Sequence, residues 1–179
     1  ADLGSGLGGA NSIAIYNGIV AIAVEAAVKQ DNGSVIFYRA SDLTRLTAVT
    51  VGALPDMLTF TPDGSRIVVA NEGEPNSYGQ PTSVDPVGSI SVISVPGLTP
   101  TATSISPVVT AITFDSYNTQ QDALRAAGVR LFGPGATVAQ DLEPEYVTIS
   151  PDGRTAFVTL QENNAVAEVN LVNSTIASI

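Results

Sequence analysis

The 179-residue chain contains no cysteine and no histidine. Without cysteine there is no disulfide framework, no thiolate metal site and no thiol nucleophile. Without histidine, Ser-His-Asp catalysis, histidine-based zinc sites and imidazole acid–base chemistry are all excluded. Lysine occurs once, as Lys29, and the bases total 7 against 17 acids, for a formal charge of −10. That balance argues against nucleic acid and anionic membranes as partners, because counterion release needs clustered Lys and Arg. Cations are the natural ligands of such a surface. Charged residues make up only 13%, so much of the surface has to be Ser, Thr, Asn and Gly. The longest strongly apolar run, residues 19–24, is far too short to span a membrane. The opening residues carry neither a basic nor an apolar leader pattern, as expected of a mature or trimmed secreted product.

Hydrophobic residues account for 44% of the chain, enough for one domain with a substantial core. They fall into short runs. Residues 142–164, LEPEYVTISPDGRTAFVTLQENN, read as a tight β-hairpin with a Pro-Asp-Gly turn and glutamates at both open ends. An earlier copy, LPDMLTFTPDGSRIVVANEGE, covers 54–74, with Pro62 and Pro151 in register 89 positions apart.

Around these copies the chain alternates in β runs. SIAIY and IVAIAVE flank Asn17-Gly18, a strong hairpin signal. Runs at 34–39 and 46–51 complete a four-stranded meander. The second unit runs through 57–60, 66–71, 89–95 and 103–114, and the third through 146–150, 155–160, 165–171 and 175–179. Between them, Asn118 with Gln121 three positions on resembles a capping box. An apolar face at Ala123, Leu124 and Ala127, closed by Gly128, predicts one short helix near 119–127. Gly4, Gly6 and Gly9 match G-x-G-x-x-G on paper. No strand precedes them and none of the expected helix follows, so 1–11 reads as a glycine-rich loop and no nucleotide or organic cofactor is expected.

Repeated four-stranded meanders of roughly 40–45 residues mark propeller blades. Blades bury both faces, and IVAIAV, RIVVA and TAFVTL are near-continuous apolar runs, not strict alternations. A β-sandwich would use similar short strands, but the repeat favours the propeller. The expected fold is thus all-β, a propeller segment of about three to four four-stranded antiparallel blades with one inserted short helix. Its approximate blades are 12–52, 54–115 and 143–179, with the helix-containing insertion at 116–142.

The copies LTFTPDGSRIVVANE and VTISPDGRTAFVTLQENNAVAEVNL resemble the YVTN/WD40-like propeller repeat, whose hairpin turn carries S/T-P-D-G. More specifically, LPDMLTFTPDG, VANEGEP, DPVGSISVI, LRAAGVRLFGPGATVAQDLEPEY and LQENNAVAEV together resemble the choice-of-anchor I family. The resemblance implies a secreted or surface-attached bacterial propeller, of a family often described as alkaline-phosphatase-like or phytase-like. It also implies a longer parent ring, so the missing blades or self-association should cover the end blades. Fold alone does not fix activity.

Hairpin geometry decides which acids are neighbours, since residues just before the first strand and just after the second share one end. Asp56, Glu72 and Glu74 occupy that end of the second unit, and Glu143, Glu145 and Glu162 that of the third. Glu25 closes the equivalent strand of the first, and Asp85 belongs on the same side. Asp63 and Asp152, with Arg66 and Arg154, mark the opposite end as turn formers. Hard oxygens without histidine or cysteine suit Ca²⁺ or Mg²⁺, making Glu25, Asp56, Glu72, Glu74, Glu143, Glu145 and Glu162 the candidate metal residues and Ca²⁺ the candidate cofactor. The plain alternative is a set of solvated loop acids. Phytase-like propellers, by resemblance, hold phosphate through calcium at such a place. Two functions follow: a binding module for a surface partner or a phosphorylated small molecule, and a metal-dependent phosphoric-ester hydrolase. The second needs cationic phosphate binders, for which Arg39, Arg125 and Arg130 are the candidates. No EF-hand spacing is present, and Asn32 and Asn173 open glycosylation sequons by pattern only.

Overall fold

A computed structural model describes residues 3–4 and 6–179. Its twelve strands form three antiparallel four-stranded sheets, each a meander in chain order. The first holds β1 (Leu7–Tyr16), β2 (Ile19–Ala26), β3 (Asn32–Arg39) and β4 (Arg45–Ala53). The second holds β5 (Pro55–Phe60), β6 (Arg66–Asn71), β7 (Ser89–Ser94) and β8 (Val108–Thr113). The third holds β9 (Pro144–Ile149), β10 (Thr155–Leu160), β11 (Ala165–Asn170) and β12 (Thr175–Ser178).

Strand alternation sends successive side chains to opposite faces, and in the second sheet both faces are buried. Leu58, Ile67, Val69 and Ile93 pack against Ile19, Ala21, Val35 and Phe37 of the first sheet. Val68, Ala70, Ile90 and Val92 turn the other way, onto Ala156, Val158, Leu160 and Val169 of the third. This is the physical reason for the near-continuous apolar runs. Neighbouring sheets also meet strand to strand: β1 lies against β5, β5 against β9, and β4 against β7 and β8. Truncating a fully buried Ile67 to alanine should cost about 2–5 kcal/mol.

The Pro-Asp-Gly turns close in the same way. Asp63 Oδ1 accepts from the Thr61 hydroxyl (2.6 Å) and the Ser65 amide (3.0 Å). Asp152 Oδ1 accepts from the Ser150 hydroxyl (2.6 Å) and the Arg154 amide (3.1 Å). Each glycine then takes a left-handed conformation, φ +68° at Gly64 and +69° at Gly153, where side chains are strained.

Three details differ from the sequence expectation. The first strand starts at Leu7, well inside the expected loop. Its glycines serve close approach, since a Cβ at Gly8 would come within 2.5 Å of the Ala26 carbonyl; Ala1, Asp2 and Ser5 of that loop lie outside the described residues. The expected strand at 103–114 shortens to β8. Finally, the insertion holds a 3-10 turn at Asp115–Tyr117 and two short helices, α1 (Gln121–Ala126) and α2 (Val138–Asp141). Asn118 caps no α-helix through a box with Gln121: Gln120 is the N-cap of α1 and makes no side-chain cap bond. The capping box belongs to α2, between Thr137 and Gln140, and Asn118 Oδ1 instead accepts the Ala139 amide at 2.9 Å. Short-range spacing favoured the wrong pair because tertiary contact, not local sequence, claims Asn118.

The two equivalent turn glycines give a paired test. At Gly153 the nearest atom to an added Cβ is Pro62 Cδ at 3.7 Å, whereas at Gly64 the Tyr16 ring lies only 1.9 Å away. Gly153→Ala should cost about 1–2 kcal/mol, the backbone term alone, and Gly64→Ala clearly more. Urea unfolding of both variants checks this ordering.

Candidate functional site

The pairing register places the acids. Pro55 lies opposite Asn71, so Asp56, Glu72 and Glu74 gather at one end of the second sheet. Pro144 lies opposite Leu160, which puts Glu143, Glu145 and Glu162 at the equivalent end of the third. Because β9 packs on β5 and β6, the two ends adjoin.

The electrostatics shows which carboxylates sense one another. Burial first, then the charges of Glu74, Asp56, Glu143 and Glu145, push the Glu72 carboxyl up to about 8. Burial, then Glu74, Glu162 and Asp141, push Glu143 up to about 7. Asp56 is raised by burial, and Glu145 by burial and by the charges of Asp56 and Glu162. Six of the seven candidate residues therefore form one coupled group. Glu25 has other partners: its carboxylate accepts the Gly9 amide at 3.0 Å and pairs with Lys29 at 3.8 Å. Asp85 is raised by burial and by Asp141, and its charge in turn raises Tyr78, the phenol bonded to Glu143. Among the described residues, no three or more acidic side chains are arranged to hold a metal ion.

Several site residues lay outside the sequence expectation. Glu143 is only 3% exposed, and its Oε1 accepts the Tyr78 hydroxyl at 3.4 Å. Burial and the nearby Glu143 push that phenol up to about 12. The Tyr78 ring packs on Phe132 with centroids 5.8 Å apart, and the Arg130 guanidinium sits 4.7 Å over the Phe132 ring. This holds the guanidinium by cation–π contact, two ring contacts away from Glu143. Asn163, fully buried, holds the arrangement together. Its Oδ1 accepts the Glu143 amide at 3.0 Å, and its Nδ2 donates to the Arg130 carbonyl at 2.9 Å and to the Asp141 carbonyl. Tyr78 and Asn163 had no local signal; Asn163 sits in a polar QENN stretch that reads as an ordinary turn.

The other arginine candidates are engaged elsewhere. Arg39 pairs with Asp42 at 2.6 Å and donates to the Ala102 carbonyl at 3.0 Å. Arg125 donates to the Leu131 carbonyl at 3.2 Å.

Three four-stranded antiparallel sheets stacked in chain order, with an acidic rim at one end, define an all-β repeat protein. The chain belongs to the choice-of-anchor I domain family, whose model matches residues 1–179, and this makes it part of a bacterial cell-surface or secreted protein. No curated protein matches it. Among solved structures it is similar to Kuenenia stuttgartiensis hydrazine synthase, with a TM-score of 0.55 at 14% identity, over 89% of this chain and 39% of that one. At that identity the likeness shows the fold alone, and the chain spans well under half of the other's length. Among the described residues, no helix is long and apolar enough to cross a membrane.

The raised carboxyls set a pH dependence. In the folded state Glu72 and Glu143 hold protons that the unfolded chain releases from 4.5 upward, so folding stability should fall as pH rises from about 5 to 9. Asp63, held down to about 2 by the Thr61 and Ser65 bonds, acts oppositely and loses its contribution in acid. Thermal melts across this range should show a declining alkaline limb. Glu72→Gln should flatten that limb and leave the melting temperature near pH 5 almost unchanged.

Proposed function

We propose that this chain is a ligand- or partner-binding module of a bacterial surface or secreted protein, a propeller segment that binds through its acidic end. The observation carrying this reading is the coupled group of six carboxylates, with Glu72 and Glu143 held near neutral pH by burial and mutual repulsion. The propeller reading is supported by the sequential stacking of the sheets, first strand beside first strand.

A bound cation would relieve the repulsion. The donors are all hard oxygens, which fits Ca²⁺. As they stand they do not form a ready coordination shell, so water or a docked partner would supply the remaining ligands. Asp56, Glu72, Glu74, Glu143, Glu145 and Glu162 would hold the ion, and the ion would supply positive charge to orient an anionic group of the partner.

A second reading, a calcium-dependent phosphoric-ester hydrolase of the alkaline-phosphatase-like or phytase-like kind, has one observation in its favour. Arg130 stacks on Phe132, whose ring packs on the Tyr78 that bonds Glu143, so it is the arginine that this chain of contacts links to the site. A single arginine is a thin phosphate site, so binding takes first place.

Calcium titration by calorimetry and thermal melting at pH 8 tests the proposal. Saturating calcium should stabilise the fold by about a few kcal/mol through linkage. Glu72→Gln should weaken the response, and Asp152→Asn, in the turn at the other end, should leave it intact. No heat and no melting shift would show the rim to be merely solvated. Turnover of p-nitrophenyl phosphate that requires calcium and is lost in Arg130→Gln would favour the second reading.

A further inference from the structure

A cleft of about 260 Å³ opens between the loop at 76–86 and the insertion at 133–140. It is smaller than the pocket of a drug-sized ligand and suits a single side chain. No lysine or arginine lines it, and Asp85 is its one carboxylate. Asp85 Oδ1 is buried and accepts no hydrogen bond, whereas buried polar atoms are as a rule paired. Burial and the charge of Asp141 hold that carboxyl above its ordinary value, as expected of an anion short of partners. Rotation about the Cβ–Cγ bond is soft, so the unpaired acceptor can be turned to an incoming donor.

The hydroxyl protons on the walls are already spent. Asn76 Oδ1 accepts the Ser77 hydroxyl at 3.1 Å and the Val84 amide at 2.9 Å. With its one proton so placed, Ser77 can only accept from Ser83, 3.0 Å away, and Ser83 in turn accepts the Gln80 amide at 2.9 Å. Tyr78 turns its hydroxyl to Glu143 at 3.4 Å. Gln140 Nε2 donates to the Asp85 carbonyl at 2.8 Å and so ties the two walls together. The cleft thus shows lone pairs and negative charge, and its ligand has to bring the donors and the positive charge. Tyr78 on the wall is 42% exposed, and Val84 beside Asp85 is 50% exposed. Apolar surface around one carboxylate suits the methylene stem of a basic side chain and the apolar residues on either side of it.

We infer that this cleft receives a lysine or arginine side chain of a partner protein, with the cationic head on Asp85 and the flanking residues on Tyr78 and Val84. The contact uses none of the six carboxylates assigned to calcium, so the two readings stand or fall separately.

The probe is the tripeptide acetyl-Leu-Lys-Leu-amide, titrated at pH 7 by calorimetry and by amide NMR. Its amide shifts should fall within 77–85 and 133–140. It should bind at least roughly tenfold tighter than the same peptide with norleucine in place of lysine, which keeps the stem and removes the charge. It should also bind at least roughly tenfold tighter than methylamine, a free amine that brings no apolar flanks. Asp85→Asn, a change of nearly equal shape, should keep the wild-type melt and whatever calcium response the wild type shows, yet lose at least roughly tenfold in affinity for the lysine peptide. Equal binding of the norleucine peptide would overturn the inference, as would undiminished binding by Asp85→Asn or shifts confined to other segments. Methylamine binding as tightly as the peptide would overturn it too, since the site would then take a free amine and not a partner's side chain.

Discussion

Ile67 and Val69 point one way from β6, Val68 and Ala70 the other, and all four side chains are wholly buried. A hairpin apolar on both faces has no stable home in a two-layer domain, where one face would meet water. It needs a sheet on each side, and fully burying each such residue contributes about 1.5–3 kcal/mol. That requirement sets the face-to-face stack, and the stack in turn sets the register in which hairpin ends meet.

The acidic end is a consequence of this packing. Asp56 and Glu72 belong to one hairpin, Glu143 and Glu145 to another, and nothing local draws them together. Packing of β9 on β5 and β6 does. Once adjacent and partly removed from water, the carboxylates raise one another's proton affinity. Asn163 adds a fixed scaffold, tying the start of β9 to the insertion through three side-chain hydrogen bonds. The acidic end is thus made by the same contacts that make the core, and its charge is held against repulsion by apolar burial elsewhere.

Much of the fold was legible because its signals are periodic or local. The runs around Asn17-Gly18 and the two Pro-Asp-Gly turns placed most strands, and the acids flanking the hairpins followed from strand direction. What escaped was tertiary. Asn118 looked like a cap by spacing but is claimed by the Ala139 amide. Gly8 and Gly9 looked like loop residues but fit a strand that crowds the Ala26 carbonyl. Glu25 looked like a rim acid but is taken by Gly9 and Lys29. Tyr78, brought to Glu143 across 65 positions of chain, carried no sequence signal at all.

Stacking forces Glu72 and Glu143 into one shared electrostatic site. Side-chain carboxyl NMR across a pH titration measures this most directly. Midpoints near 8 for Glu72 and near 7 for Glu143 are expected, both moving down when calcium is added. Midpoints for both in the ordinary glutamate range, unmoved by calcium, would contradict it.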